Sequence, residues 1–370
     1  KVSEALAAKE DFHISVPGTY IIGGELVRLK RIEPTMPVLR TQKRPRVCHM
    51  LDQDGKQWKF LLKGNEDLRI DQRIVQFFSL INTIIKTHRS TINLGVEILQ
   101  YSIVPFAPNV GLISWIIGAS TMQQLVSGYR NDRHVELDIE RKVTSGITQL
   151  PDKMNALQKY ELFTEVDKQT KATELREILW LSSPNPSDWI VRTRDYTSTT
   201  AMMSIAGYII GLGDRHPSNI MIQRQTGRVI HIDFGDSFEV NMYRNDFPER
   251  VPFRLTRMLI KALDDCSVDG VFRKTCEDVL YVIRENSSSI IALLEVFLHE
   301  PIFNDKHSQN QKQRDILKRV SEKLSGNDPI AEIHPERIEY NVEEQVDVLI
   351  HIASDPKEYC RHYKGWTPYW

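Results

Sequence analysis

Three oxygen-bearing side chains lie close together in two short runs, Gly211-Leu-Gly-Asp-Arg-His-Pro-Ser-Asn219 and Ile230-His-Ile-Asp-Phe-Gly-Asp236. Asp214 precedes Asn219 by five positions, and Asp233 opens an Asp-Phe-Gly triplet after a short hairpin. Moving a phosphoryl group needs a carboxylate beside the attacking hydroxyl. It also needs hard oxygen ligands for the divalent ion that carries the phosphates. The hairpin folds Asp233 back beside Asn219, so these two are expected to grip one metal–phosphate cluster. Each residue alone has an ordinary structural reading: Asp214 as a polar helix end, Asn219 as a turn former, Asp233 as a strand-end cap. Their joint spacing is what points to phosphoryl transfer.

The order Asp214-Arg215-His216 departs from the His-Arg-Asp of protein kinases. His216 thus follows the carboxylate and is expected to approach the γ-phosphate or stabilise charge developing on it. A phosphate-binding lysine should come from a strand. Lys63 ends the alternating stretch from Trp58, on the face opposite Phe60 and Leu62. Lys59 shares its face and reads as snorkelling at the strand's start. The carboxylate supporting Lys63 is expected from the next helix, with Glu66 preferred, Asp71 the alternative and Asp67 a helix-start cap. No GxGxxG precedes Lys63, so the phosphate loop is placed at Val38 to Pro45. There Thr41 offers a hydroxyl and Lys43 a charge. A solvated basic hairpin tip is the plainer reading of that stretch.

The elements that must hold these residues fall into two regions. The first 115 residues read mostly as strand, with a turn at Gly23-Gly24 and a hairpin turn at Asp52-Gln53-Asp54-Gly55. Ile74, Phe77, Phe78, Ile81, Ile84 and Ile85 recur at helical spacing. Tyr101 to Pro105 and Gly111 to Ile116 read as further strands. Beyond them the pattern is helical, except for strands at 220–222 and 229–232 joined by a turn at Thr226-Gly227. The expected architecture is α+β and bilobal, with a cleft between a strand-rich and a helical lobe. The expected segments are an N-lobe at 1–115, a C-lobe at 116–303, a linker and helical tail at 304–340, and a terminal segment at 341–370. Asn304 to Gln313 reads as a flexible polar link, and Glu332 to Asn341 carries charges around one proline. The terminal segment opens with an amphipathic helix (Val342, Val346, Val348, Leu349, Ile352) and ends in the aromatics Tyr363, Trp366, Tyr369 and Trp370. Packing under the loop after Asp233 is the favoured reading of these aromatics, and insertion into a membrane interface the competing one.

Composition sets the outer limits. Lys+Arg 48 against Asp+Glu 49 gives a formal net charge of -1, which argues against a nucleic-acid binder. Cys48, Cys266, Cys276 and Cys360 form no CxxC pair, so no zinc site or disulfide framework is indicated, and a reduced cytosolic or nuclear setting is expected. The apolar stretch Ala201 to Leu212 falls short of the roughly 20 residues a bilayer requires and reads as a buried helix. The chain opens at Lys1 in mid-pattern, as expected of a piece of a longer protein.

GLGDRHPSN followed by HIDFGDSFEV resembles the phosphatidylinositol-3-kinase-related protein kinases, and among them the target-of-rapamycin branch. VPGTY at 16–20, KRPR at 43–46, LLKGNEDLR at 61–69, GLISW at 111–115 and VPFRLTRM at 251–258 extend the similarity over nearly the whole chain. The final GWTPYW is similar to the end of that family's FATC segment. The resemblance implies a bilobal, protein-kinase-like fold of the PI3/PI4-kinase type with a helical FATC tail. It implies ATP with Mg²⁺, or Mn²⁺, as cofactors, Asp214 as the catalytic aspartate and His216 as its transition-state helper. Asn219 and Asp233 would hold the metal, and Lys63 would bind phosphate with Glu66 or Asp71 in support. Trp115 and Ile116 would form the adenine-contacting hinge, with Leu39, Leu61, Tyr101, Met221 and Ile232 as apolar walls. Residues 233–254 would be the activation loop. Substrates would be protein Ser/Thr, with a WD-repeat subunit on the helical lobe and a scaffold presenting substrates. The setting would be cytoplasmic, peripheral on endomembranes, or nuclear. Two departures matter: Ile70 stands where the family usually has glutamine, and His362 stands where a second tail cysteine would pair with Cys360. A tail disulfide is therefore not implied.

Two other functions are weighed. A phosphoinositide kinase would need a cationic activation loop. Here Arg244, Arg250 and Arg254 are set against Asp236, Glu239, Asp246 and Glu249 in 235–254, which leaves that loop at -1. An inactive family scaffold would have lost its metal ligands, and Asp214, Asn219 and Asp233 are all kept.

Overall fold

The computed structural model describes residues 5, 9, 12–41, 43–148, 154–244, 248–300, 309–328 and 339–370. Residues 304–308 of the expected link, 332–338 of the charged stretch, and Asp246 lie outside them. The chain divides into two compact units, residues 1–79 with 100–117, and residues 80–99 with 118–370. Residues 80–99, which fall inside the first expected segment, thus belong to the second unit.

In the first unit, β1 (Leu29–Ile32), β2 (Arg46–Asp52) and β3 (Gln57–Gly64) precede α1 (Arg69–Thr87), whose residues from Leu80 onward count with the second unit. β4 (Ile103–Ala107) and β5 (Val110–Ser114) complete an antiparallel sheet of order β1-β2-β3-β5-β4. The hairpin at Asp52 closes through Asp52 N–H to Lys56 O at 3.1 Å, which sets Cys48 opposite Phe60. Alternation then sends Cys48, Met50 and Phe60 into one core with Val16, Leu29 and Leu112. The same alternation turns Lys59, Leu61 and Lys63 to the other face.

The second unit holds a three-stranded antiparallel sheet, β6 (Ala119–Thr121), β7 (Ile220–Gln223) and β8 (Val229–His231). Its helices before β7 are α2 (Met122–Asp132), α3 (Ile139–Ile147), α4 (Ala156–Gln169), α5 (Glu174–Leu181) and α6 (Pro186–Ile209). After β8 come α7 (Arg257–Lys261), α8 (Val271–Glu285), α9 (Ser287–Leu298), α10 (Gln309–Ser325), α11 (Val342–Ser354) and α12 (Pro356–Tyr359). The side chain of Asn185 caps α6 by accepting from Asp188 N–H, with Pro186 in its first turn. From Tyr196 to Ile209 every residue of α6 is buried, as expected of a helix apolar or small all round. The hydroxyls of Thr200 and Ser204 are satisfied within the helix, donating to Tyr196 O and Thr200 O. No described helix is long and apolar enough to cross a membrane.

One expectation fails at α10. Residues 309–313, read as part of a flexible link, are its first turns. Their polarity belongs to a helix whose later residues Val320, Lys323 and Leu324 are buried, and Gln313 donates to Leu298 O at 2.6 Å.

The terminal aromatics are packed. Trp366 and Trp370 are 1% and 5% exposed, and Tyr369 stacks on Phe163 at 4.5 Å, so these tryptophans are covered by protein rather than presented to lipid. α11 starts with a reciprocal cap between Asn341 and Glu344 and buries Val346, Leu349, Ile350 and Ala353.

Candidate active site

The chain leaves α6 through a turn that only glycine permits. Gly211 has φ 57, and a Cβ there would lie 2.6 Å from the backbone nitrogen of Glu239. At Gly213 a Cβ would lie 2.6 Å from Asn241 Nδ2, so the segment after the Asp-Phe-Gly triplet sits directly on the run that carries Asp214. Asp214 and Asp233 both have left-handed backbones, φ 56 and 61. Such residues carry roughly 1–3 kcal/mol of strain, and the surroundings must hold them in place.

Several bonds do so. β7 pairs with β8 so that Ile220 faces His231, and Ile232 N–H donates to Asn219 O at 3.1 Å. Asn219 and Asp233 therefore lie at the same end of the hairpin. Asn219 Nδ2 donates to Asp214 O at 2.9 Å and lies 3.4 Å from Asp214 Oδ2. With its nitrogen committed to Asp214, Asn219 offers its amide oxygen as the hard donor. The guanidinium of Arg215, 3% exposed, donates to Gly213 O at 2.8 Å, to Ile232 O at 2.9 Å and to Asp233 O. It ties the loop carrying Asp214 to the strand end carrying Asp233.

His216 lies beside Asp214. Its Nδ1 accepts from Ser218 N–H at 3.2 Å, so the neutral ring carries its proton on Nε2, which lies 3.8 Å from Asp214 Oδ2. Burial holds its pKa below the ordinary imidazole value, against the opposing pull of the Asp214 carboxylate. On the other side of Asp214, both oxygens of Glu249 accept its backbone N–H, at 2.9 and 3.1 Å.

Among the described residues no group of three or more His, Cys, Asp or Glu side chains could hold a metal. Asp233 and Asn219 instead bring two hard oxygens, the partial set that suits Mg²⁺ when phosphates and waters complete its shell. The residues present fit such an ion.

The lysine side of the expected site lies in the first unit. Lys63 Nζ lies 3.3 Å from Glu66 Oε1, and the same oxygen lies 3.0 Å from Lys43 Nζ. Lys43 belongs to a loop closed by Leu39 N–H to Pro45 O at 2.9 Å, with Thr41 exposed at its tip. Asp67 caps α1 through Arg69 N–H at 3.0 Å, and Asp71 is buried in the first turn. Lys59 is the exception. It sits within β3 with its ammonium 3.5 Å from the ring centroid of Trp115, rather than with its head in solvent at the strand's start. That cation–π contact, with Trp115 N–H donating to Lys59 O at 2.9 Å, fixes the residue expected to form the hinge. Of the expected apolar walls, Leu39, Leu61, Tyr101 and Ile116 lie in the first unit, Met221 and Ile232 in the second.

A model of the phosphatidylinositol 3- and 4-kinase family matches residues 57–306. The chain belongs to that family. A FATC-domain model matches residues 339–370 of this kinase-family chain. "Serine/threonine-protein kinase mTor" of Drosophila melanogaster is 35% identical over 100% of this chain and 17% of its own length. "Target of rapamycin homolog" of Caenorhabditis elegans is 37% identical over 100% of this chain and 15% of its own. The chain thus spans less than a fifth of these relatives. Among solved structures, the "FAT and kinase domain of CtTel1" superposes with a TM-score of 0.80 at 26% identity, covering 97% of this chain and 25% of that one.

Three residues at the site escape a reading of sequence spacing: Arg215, Asn241 and Glu249. Arg215 and Glu249 are visible in the sequence only as charges. Nothing in the spacing says that their partners are backbone groups 18 and 35 residues away.

Proposed function

We propose that this chain is the catalytic part of a serine/threonine protein kinase that moves the γ-phosphoryl group of Mg²⁺-bound ATP to protein hydroxyls, in growth signalling of the target-of-rapamycin kind. The observation that carries the reading is the bond from Asn219 Nδ2 to Asp214 O, with Ile232 N–H returning to Asn219 O. It holds Asp214, Asn219 and the strand end leading into Asp233 around one short hairpin, which supports reading them as the acid–base carboxylate and the metal ligands. When bound, the metal neutralises phosphate charge. Asp214 takes the proton of the substrate hydroxyl. His216, neutral and protonated on Nε2, meets negative charge growing on the transferring group. Lys63, steadied by Glu66, orients the phosphates, with Thr41 and Lys43 contributing from their loop.

The choice of protein over lipid rests on where the loop's arginines go. Arg254 is buried among backbone carbonyls, and Arg244 lies 2.7 Å from Asp236 Oδ1. Arg244 and Arg250 are exposed, but Arg244 is paired with Asp236, and the single arginine left is a poor match for an anionic headgroup. A WD-repeat subunit on the helical unit, a substrate-presenting scaffold and a cytoplasmic setting, peripheral on endomembranes or nuclear, complete the proposal. It is tested by offering labelled ATP with a Ser/Thr peptide, a phosphoinositide and water in parallel. Label should go chiefly to the peptide, and a preference for the lipid would overturn the reading.

A further inference from the structure

We propose that Glu249 is a positioning residue for Asp214, and that its carboxylate fixes the left-handed backbone from which the reacting carboxylate projects. The importance of Asp214 rests on the phosphoryl-transfer reading above. The placement of Glu249 does not.

Glu249 lies 35 residues downstream of Asp214 and is 7% exposed. Among the described residues it forms no ion pair within 4.0 Å, although a buried carboxylate without one is ordinarily destabilising. What it accepts instead is informative. Both oxygens take Asp214 N–H, at 2.9 and 3.1 Å, and Oε1 also takes Asn241 Nδ2 at 3.1 Å. Glu249 N–H donates to Asn241 O at 3.1 Å, so Asn241 and Glu249 are joined through both backbone and side chain. The side chain of Asn241 in turn fills the space that a Cβ on Gly213 would take.

Asp214 is therefore held at both of its peptide groups. Glu249 has its N–H, and Asn219 Nδ2 has its C=O at 2.9 Å. In the left-handed region neither group belongs to a helix or strand ladder, so each needs a dedicated partner. An acceptor held by Asn241 suits a site whose geometry must hold to a fraction of an ångström. Fixing both peptides fixes the direction of the Asp214 Cβ, and with it the carboxylate. Because Glu249 sits in the loop after the Asp-Phe-Gly triplet, the arrangement makes that loop part of the support for Asp214.

The test compares the wild-type chain with Glu249→Ala, Glu249→Gln and Asn241→Ala. It reads amide exchange at Asp214 and steady-state kinetics in ATP. Glu249→Ala should speed exchange of the Asp214 amide about tenfold or more. It should lower kcat by about ten- to a hundredfold while KM for ATP moves by less than about threefold. Glu249→Gln keeps an acceptor oxygen and should recover most of both losses. Asn241→Ala, which removes the amide that holds the carboxylate while keeping the Cβ beside Gly213, should give an intermediate loss and serves if Glu249→Ala fails to fold. Unchanged exchange at Asp214 in the folded alanine variants would overturn the proposal. So would a glutamine variant as impaired as the alanine one, because charge rather than an acceptor would then matter. A wild-type chain that phosphorylates no hydroxyl acceptor would sink the kinase reading instead. In that case the exchange data would still decide what Glu249 holds.

Discussion

Arg254 donates to the backbone carbonyl of Trp370 at 2.8 Å, and to those of Trp366 and Thr367 at 2.7 Å each. It also reaches Arg215 O at 3.3 Å, so one side chain joins the end of the FATC segment to the loop carrying Asp214. Thr256 donates to the same Trp370 carbonyl, and Arg257 to Tyr369 O at 3.0 Å. Burial lowers the pKa of Arg254 to about 10, against the opposing pull of Tyr359 and Glu249. Trp366→Ala is expected to cost about 3–5 kcal/mol of stability by denaturant titration, with activity falling alongside. Removal of 366–370 with activity and stability intact would contradict this role for the tail.

Gly211→Ala is a backbone test of the same region. Its Cβ would meet Glu239 Cγ at 2.4 Å as well as force a left-handed alanine. Glu239 cannot step aside cheaply, because Arg319 holds both its oxygens at 3.0 Å and Lys323 lies 2.6 Å away. The substitution should destabilise by about 2 kcal/mol or more. A urea midpoint equal to wild type would refute the close approach.

Lys63 and Glu66 predict a graded effect. Lys63→Met removes the charge proposed to orient the phosphates and should raise KM for ATP about tenfold or more while lowering kcat. Glu66→Gln leaves the lysine in place but loosens it, and should do the same to a smaller degree. Equal kinetics for Lys63→Met and wild type would move the phosphate contact elsewhere.

His362 supplies a pH signature. It lies between Tyr359 and Trp366, and burial lowers its pKa to about 4. Below the ordinary pKa of 6.5 the unfolded chain takes a proton that the folded chain refuses. Stability should therefore be flat above that value and fall as pH drops toward 4. Between pH 7.5 and 5.5 the loss from this group is about 1 kcal/mol. His362→Gln should reduce the acid sensitivity by that amount, and parallel pH curves for variant and wild type would rule it out.

Much of the site can be read from the sequence because its chemistry is concentrated. Asp214, Asn219 and Asp233 are few residues apart, and a hairpin with recognisable strands and turn joins them. The two-strand alternation around Lys63 is equally plain. The supports are not legible, for a physical reason. Glu249, Arg215 and Arg254 act on backbone N–H and C=O groups, which every residue carries, so no residue type marks the partner. Lys59 misleads because alternation gives its face but not the ring it meets there. Residues 309–313 mislead because a polar helix end and a flexible link share one composition.

Metal-dependent transfer by Asp233→Ala tests the account most directly. Asp233 and Asn219 supply the two protein oxygens assigned to the ion, so losing the carboxylate should remove several kcal/mol of transition-state stabilisation. Labelled ATP, a Ser/Thr peptide and a Mg²⁺ titration should show at least about a thousandfold loss for Asp233→Ala and a smaller one for Asn219→Ala. Undiminished transfer by the Asp233 variant across the titration would contradict the assignment of the site.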